Sequence, residues 1–308
     1  ILWGNSAGSE GPEIKNILAH PVIRNSDIQG CGGSGTGWDM SLGVDQGGNI
    51  DMDPAFTDAA AGDLSLQILS PAVEAGDGTL LPVDIVDLDQ DGNTGETIPL
   101  DLAGESRVKC NRVDLGAYEN QDMPLFADVA CSHWAHDYIH ALFQSGITGG
   151  CGSEPLVYCP DGSVTRAQMA VFLERGIHGS SYVPPAPTGL FDDVPVDNWA
   201  AKWVEGLYND GITGGCGGNN YCPGADVTRA QMAVFLLRSK HGSEYTPPAP
   251  TGVFNDVPVD SWAAKWVEQL AAEGITGGCG GGNYCPEASV TRAQMAVFLV
   301  RTFSLPLP

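Results

Sequence analysis

Basic side chains are scarce in this chain of 308 residues: 14 lysines and arginines stand against 38 aspartates and glutamates, a formal net charge of −24. A surface so short of cations repels polyphosphate, which excludes nucleic acid and anionic membranes as partners. The deficit is uneven, since residues 1–123 hold 5 basic and 21 acidic residues. Also missing is any run of about 18 apolar residues, the length a helix needs to span a membrane. The nine cysteines lack the doubled Cys-x-x-Cys spacing of zinc sites and so point to an oxidising compartment. No signal peptide opens the chain, which begins Ile1-Leu-Trp without Met in a strand-like stretch, so further residues upstream are expected.

What the chain does have is repetition. The nonapeptide TRAQMAVFL occurs at 165–173, 228–236 and 291–299, a step of 63 residues. Each copy closes a longer pattern of Phe-x-Asp-Val, a Trp-led helix, Gly-Ile-Thr-Gly-Gly-Cys and Tyr-Cys-Pro, so each is one supersecondary module. Thr with Gln three residues on is a capping box, which predicts helix starts at Thr165/Gln168, Thr228/Gln231 and Thr291/Gln294. Arg166, Arg229 and Arg292 then fall in the first helical turn, where a helix N-terminus favours anions. Trp134, Tyr138 and Leu142, with Trp199, Trp203 and Leu207 and with Trp262, Trp266 and Leu270, are spaced by four and are expected on one face of each first helix. Gly146, Gly211 and Gly274 should end those helices.

Six cysteines form three equivalent pairs around Gly-rich loops: Cys151 with Cys159, Cys216 with Cys222, and Cys279 with Cys285. Three disulfides within repeats are expected, with zinc binding as the alternative reading; Cys31, Cys110 and Cys131 remain, an odd number. The segments around Pro184-Pro185 and Pro247-Pro248 read as stiff extended linkers that hold neighbouring repeats apart. His133, His136, His140, His178 and His241 suggest a metal reading, above all His136 and His140 one helical turn apart, but Ala201 and Glu205, then Ala264 and Glu268, take the places of that pair in the other repeats, so the histidines read as surface variation.

Residues 1–122 are rich in Gly, Asp and Asn with short apolar pieces such as Ile1–Trp3, Ile14–Leu18, Pro21–Ile28, Asn49–Phe56 and Leu64–Leu69, which suits an all-β domain. Within them Asp87, Asp89 and Asp91, followed by Gly92, start like a calcium loop. Ile98 stands where the EF-hand pattern wants a bidentate Glu, and Glu96 comes two residues early; a solvated acidic turn is the competing reading.

The ordered motifs of residues 124–304 resemble the S-layer homology domain in three tandem copies. The resemblance implies an all-α pseudo-threefold bundle whose grooves hold cell-wall polysaccharide, with the family's arginine at Arg166, Arg229 and Arg292 and its tryptophan at Trp134, Trp199 and Trp262. Two departures stand out: Gln168, Gln231 and Gln294 replace the family's Glu, and Cys159, Cys222 and Cys285 replace a loop arginine. The pieces Val22–Gly30, Asn49–Phe56 and Val113–Glu119 resemble the last coils and cap of right-handed parallel β-helix proteins of bacterial surfaces. The expected organisation is therefore a β-helix end at 1–122, then repeats at 123–180, 181–243 and 244–308. The expected function is a secreted, non-enzymatic, extracellular cell-surface protein held to the envelope by polysaccharide binding, with calcium as the one cofactor considered. A filament or lattice subunit that self-associates through the β-helix face is the alternative. A polysaccharide lyase remnant ranks below both, because no paired carboxylates with a basic partner are in place.

Overall fold

A computed structural model describes residues 1–6, 13–121 and 124–307. The chain forms two compact units, Ile1–Leu125 and Phe126–Leu307. The boundary expected at 122/123 falls on residues outside those described.

The first unit has few strands and is not plainly all-β. Strand β1 (Val22–Ile23) pairs in parallel with β2 (Val44–Asp45), and β3 (Phe56–Asp58) pairs antiparallel with β4 (Asp63–Leu66). Isolated parallel bridges join Leu2 to Ile28 and Asp27 to Ile50. The strand expected over Ile14–Leu18 is absent: Leu18 has φ 57° and is fully exposed. Turns dominate because Asp and Asn side chains bind neighbouring amides and compete with ladder formation. Asp45 accepts from Gly35 N and Gly47 N, and Asp101 accepts from Ala103 N and Glu105 N. A small core of Ile28, Cys31, Trp38 and Leu42, flanked by Ile14 and Ile23, sits beneath the parallel pairs. Cys31 is a free buried thiol, and Cys110 is a disulfide cysteine.

A buried polar knot lies in the segment Val113–Asn120. Asp114 accepts from Glu74 N and Asn120 N at 2.7 Å each, while Glu119 accepts from Asp114 N and faces Arg107 at 3.3 Å. Burial, more than mutual repulsion, pushes Asp114 up to about 6 and Glu119 up to about 8, and Arg107 offsets only part of that. The native unit therefore holds protons that the unfolded chain releases, and their stabilisation is complete near pH 4 and lost as pH rises through 6 to 8. Urea unfolding of the N-terminal unit should have a lower midpoint at pH 8.5 than at pH 5.5 (~3 pH units apart); an unchanged or higher midpoint would contradict these protonation states.

The second unit holds six helices: α1 (His136–Gln144), α2 (Arg166–His178), α3 (Ala201–Asn209), α4 (Arg229–His241), α5 (Ala264–Ala272) and α6 (Arg292–Phe303), with a hairpin of β5 (Gly152–Ser153) and β6 (Leu156–Val157). All three capping boxes are closed, with Thr and Gln satisfying each other's backbone amides at the starts of α2, α4 and α6. Gly146, Gly211 and Gly274 take φ of 71°, 72° and 71° just past the first helices, as a left-handed terminator must. The long helix of each repeat packs on the short helix of the next, α2 on α3, α4 on α5 and α6 back on α1. The three long helices also pack on one another at the centre.

At that centre the backbone forms a closed triangle. Val164 N donates to Val290 O, Val290 N to Val227 O and Val227 N to Val164 O, each at 2.9 Å. All three valines are fully buried. The unit is thus a ring with no terminal repeat. The linkers do not hold repeats apart: Pro184 and Pro247 are buried, because the apolar rings fill space beside the packed helices. Glu205 binds linker amides of Thr188, Gly189 and Leu190, and Glu268 those of Thr251, Gly252 and Val253. The three repeat disulfides, Cys151–Cys159, Cys216–Cys222 and Cys279–Cys285, are formed. Each closes a short loop, which is worth about 2 kcal/mol in the chain-entropy account.

Candidate functional site

Each nonapeptide arginine was expected at an accessible helix start. Instead Arg166, Arg229 and Arg292 are each 4% exposed. Arg166 Nε donates to Tyr221 O at 2.7 Å, Arg229 Nε to Tyr284 O at 2.7 Å and Arg292 Nε to Tyr158 O at 2.6 Å. In return the Tyr221, Tyr284 and Tyr158 hydroxyls donate to the backbone oxygens of the same arginines. The guanidinium carbons lie 4.6–4.7 Å from the tyrosine ring centroids. Each arginine therefore reaches into the Tyr-Cys-Pro loop of the next repeat, and the third reaches back to the first. Burial lowers the guanidinium pKa, while Tyr221 and Asp193 hold that of Arg166 up, so the cations are dry but charged.

The Tyr-Cys loops are fixed by a residue whose role the motif alone did not disclose. Asp128, Asp193 and Asp256 of Phe-x-Asp-Val each accept from the two amides of their own repeat's Tyr and Cys, at 2.7–2.8 Å. A second set, Arg175, Arg238 and Arg301, donates to the carbonyls of Ile147, Ile212 and Ile275, in the Gly-Ile-Thr loops just past α1, α3 and α5.

Trp134, Trp199 and Trp262 do not lie on the helices they were expected to lead. In each repeat the residue before Trp, namely His133, Asn198 or Ser261, accepts from the amide of the alanine after it, so the Trp is carried in a turn ahead of the helix. They are 62%, 63% and 60% exposed. The core positions of that face belong to Trp203, Trp266, Leu142, Leu207 and Leu270, which are buried. His136 and His140 are also buried, so they are not surface variation.

One groove joins the two expected residue types. A cavity of about 280 Å³ is lined by Trp134, Arg229, Thr276, Gly277, Gln294 and Arg301, residues drawn from all three repeats. Arg229 Nη2 donates to Thr276 Oγ1 at 3.4 Å there. The matching Nη2 atoms of Arg166 and Arg292 are buried with no hydrogen-bond partner. At the groove itself the polar pair is therefore the Arg229 cation and the Thr276 hydroxyl that it holds.

Asp87, Asp89 and Asp91 lie in the loop closed by the Val83–Thr97 bridge. Their carboxylates accept from Gly92 N, Asp91 N and Asn93 N in turn, and Ile98 uses its amide to bond Pro82 O. Glu96 stands close enough for burial and then Asp91, Asp89, Asp84 and Asp87 to raise its pKa.

Comparison with known proteins gives the S-layer homology domain at residues 125–170, 191–233 and 253–296. The chain is 29% identical over 174 residues to an endoglucanase of Bacillus sp. (strain KSM-635), covering 56% of this chain and 18% of that protein. It is 28% identical over 177 residues to the S-layer protein of Bacillus licheniformis, covering 58% and 20%. A cellulosome-anchoring protein of Acetivibrio thermocellus is 25% identical over 166 residues, covering 53% and 36%. The chain spans about a fifth of the length of the first two. Among the described residues no helix is long and apolar enough to cross a membrane. The protein is extracellular and cell-surface in kind, and it carries three S-layer homology domains within one closed ring.

Proposed function

We propose that the ring of residues 126–307 holds this protein on the cell envelope by binding a wall polysaccharide in the grooves between repeats. The observation that carries this reading is the groove in which exposed Trp134 meets the guanidinium face of Arg229. An exposed indole gives a sugar ring an apolar platform, and the Arg229 cation with the Thr276 hydroxyl beside it gives an acidic or hydroxyl substituent a polar partner. The repeat supplies the same residue types at Trp199 with Arg292 and at Trp262 with Arg166, so three weak sites on one rigid ring would bind with avidity. The names of the S-layer and cellulosome-anchoring relatives agree with a non-enzymatic anchoring or structural role.

Because the arginines also clamp the fold, tryptophan substitutions are the cleaner test. The chain with Trp134, Trp199 and Trp262 changed to Ala should keep its melting transition but lose retention on purified cell-wall sacculi, and wild-type retention should fall when acid treatment strips the acidic polysaccharide. Retention unchanged by both treatments would sink the proposal.

We further infer that the first unit is the end of a parallel coil stack. In support, the parallel pairs Leu2–Ile28, Val22–Val44 and Asp27–Ile50 are separated by similar stretches of chain, as successive coils would be. A second reading, a self-assembling lattice or filament subunit, is favoured by exposed Ile17, Leu18, Met40, Ile85 and Val86 on that unit. Native mass rising with concentration would favour it, and a monomer throughout would exclude it.

A further inference from the structure

The junction between the first and second repeats holds a carboxyl group that neither the fold nor the grooves use. Glu174, on the last half of α2, is 0% exposed, and neither of its carboxylate oxygens has a hydrogen-bond partner. It faces Gly206 of α3, where an added Cβ would come within 2.7 Å of Glu174 Oε2, so the glycine is what leaves room for the carboxylate. One turn on, His178 Nε2 lies 3.9 Å from Glu174 Oε2 and 2.6 Å from Asp210 Oδ2. The His178 ring is braced against Tyr182 at 4.2 Å between centroids.

The next junction shows what this cluster is not. There the His–acid pair recurs as His241 with Glu273 at 2.8 Å, but Lys240 and Gln269 complete it, and Leu237 fills the place of Glu174. That is an ordinary surface ion pair. At the first junction Ile177 and Gly206 replace the lysine and the glutamine, and a second carboxylate is added in the dry interior. Two carboxylates around one imidazole leave excess negative charge. Protonating Glu174 would remove the charge but create a buried O–H with no acceptor, and its other oxygen would stay unpartnered.

We propose that Glu174, His178 and Asp210 form a site for a divalent transition-metal ion of the zinc class, bound through His178 Nε2 and one oxygen of each carboxylate, with water completing the shell. The three donor atoms lie within 4.8 Å of one another. Tetrahedral bonds of about 2.1 Å set donors about 3.4 Å apart, between the 2.6 and 3.9 Å separations seen here, so small side-chain shifts suffice. The mixed imidazole and carboxylate donor set suits such an ion better than calcium or magnesium. His178 and Asp210 are about one-third exposed and give the ion an entry, while Glu174 seals the inner side. The site goes beyond the anchoring role and does not depend on it.

Calorimetric titration of the chelator-treated full chain with Zn²⁺, in excess Ca²⁺ to occupy the acidic loop at 84–96, tests this. One saturable equivalent is expected, with Co²⁺ in its place giving the visible absorption of a low-coordinate site. Glu174→Leu installs the residue that the second repeat already carries and should keep the melting transition. It and His178→Ala should each weaken binding at least about tenfold, the least that losing even a supporting partner costs. Absence of a saturable equivalent, or an equivalent that survives both substitutions, overturns the proposal.

Discussion

Removing the third repeat, residues 244–307, should abolish cooperative unfolding of the whole ring. In a linear solenoid, losing a terminal repeat subtracts that repeat and one interface, and the rest stays folded. Here the same cut removes α6 from α1, takes Val290 out of the central amide triangle and strips Arg292 from Tyr158. The two remaining repeats would expose the apolar faces of both α1 and α4 and leave the Val164 amide and the Val227 carbonyl unpaired. Far-UV circular dichroism in urea should show a broad, low-slope transition, and retention on sacculi should fall far more than threefold, beyond an additive share of the avidity. A truncated chain that still unfolds in one steep transition would mean that closure is not what holds the repeats together.

Arg292→Ala should destabilise the ring markedly. The side chain contributes a charge-assisted hydrogen bond to Tyr158 O, stacking on Tyr158 and a further contact to Phe172 at 5.7 Å. The hydrogen bond is worth about 1.5–3 kcal/mol and the ring contacts up to about 2, with a cavity left where the chain was. Against this, no carboxylate pairs with the guanidinium, so its removal relieves a desolvation cost. The net should be about 2–4 kcal/mol, read from urea midpoints of the full chain. Arg292→Lys should cost nearly as much, because an ammonium cannot keep the planar stack. Arg166→Ala and Arg229→Ala should fall in the same range, and pairs of these changes should not add, since the first already opens the ring. A loss below about 0.5 kcal/mol, typical of an exposed site, would show that the clamp carries little of the stability.

Features written within one repeat were legible from sequence. The capping boxes, the glycine terminators and the cystine pairs each depend on residues at most eight apart, and their chemistry leaves few alternatives. The arginines were legible as recurrent but not as buried, because their tyrosine partners stand 55 or 134 residues away. Trp134, Trp199 and Trp262 fit the spacing of four, but a turn closed across each Trp by His133, Asn198 or Ser261 carries it ahead of the helix start, and periodicity does not register that. The burial of His136 and His140 was hidden for the opposite reason: comparison with Ala201 and Glu205 weighed identity between repeats and not the packing that each position shares. In the first unit, dense Gly and Asp gave turn after turn, and the parallel pairs at Val22 and Ile28 are set by contacts with distant chain that no local pattern encodes.

The triangle of Val164, Val227 and Val290 also sets a schedule. Its last member lies 126 residues beyond its first, and Arg292 lies 134 residues beyond the tyrosine it secures. A ribosome adding residues in order, or an export channel passing them in order, delivers two repeats with sticky unpaired faces before the piece that covers them exists. The first two repeats must therefore wait, held open or held by a chaperone, and any chain cut short before Val290 stays in that vulnerable form. Completion of the ring should act as a check on length, with a chain that carries its third repeat expected to resist proteolysis better than one cut short before Val290.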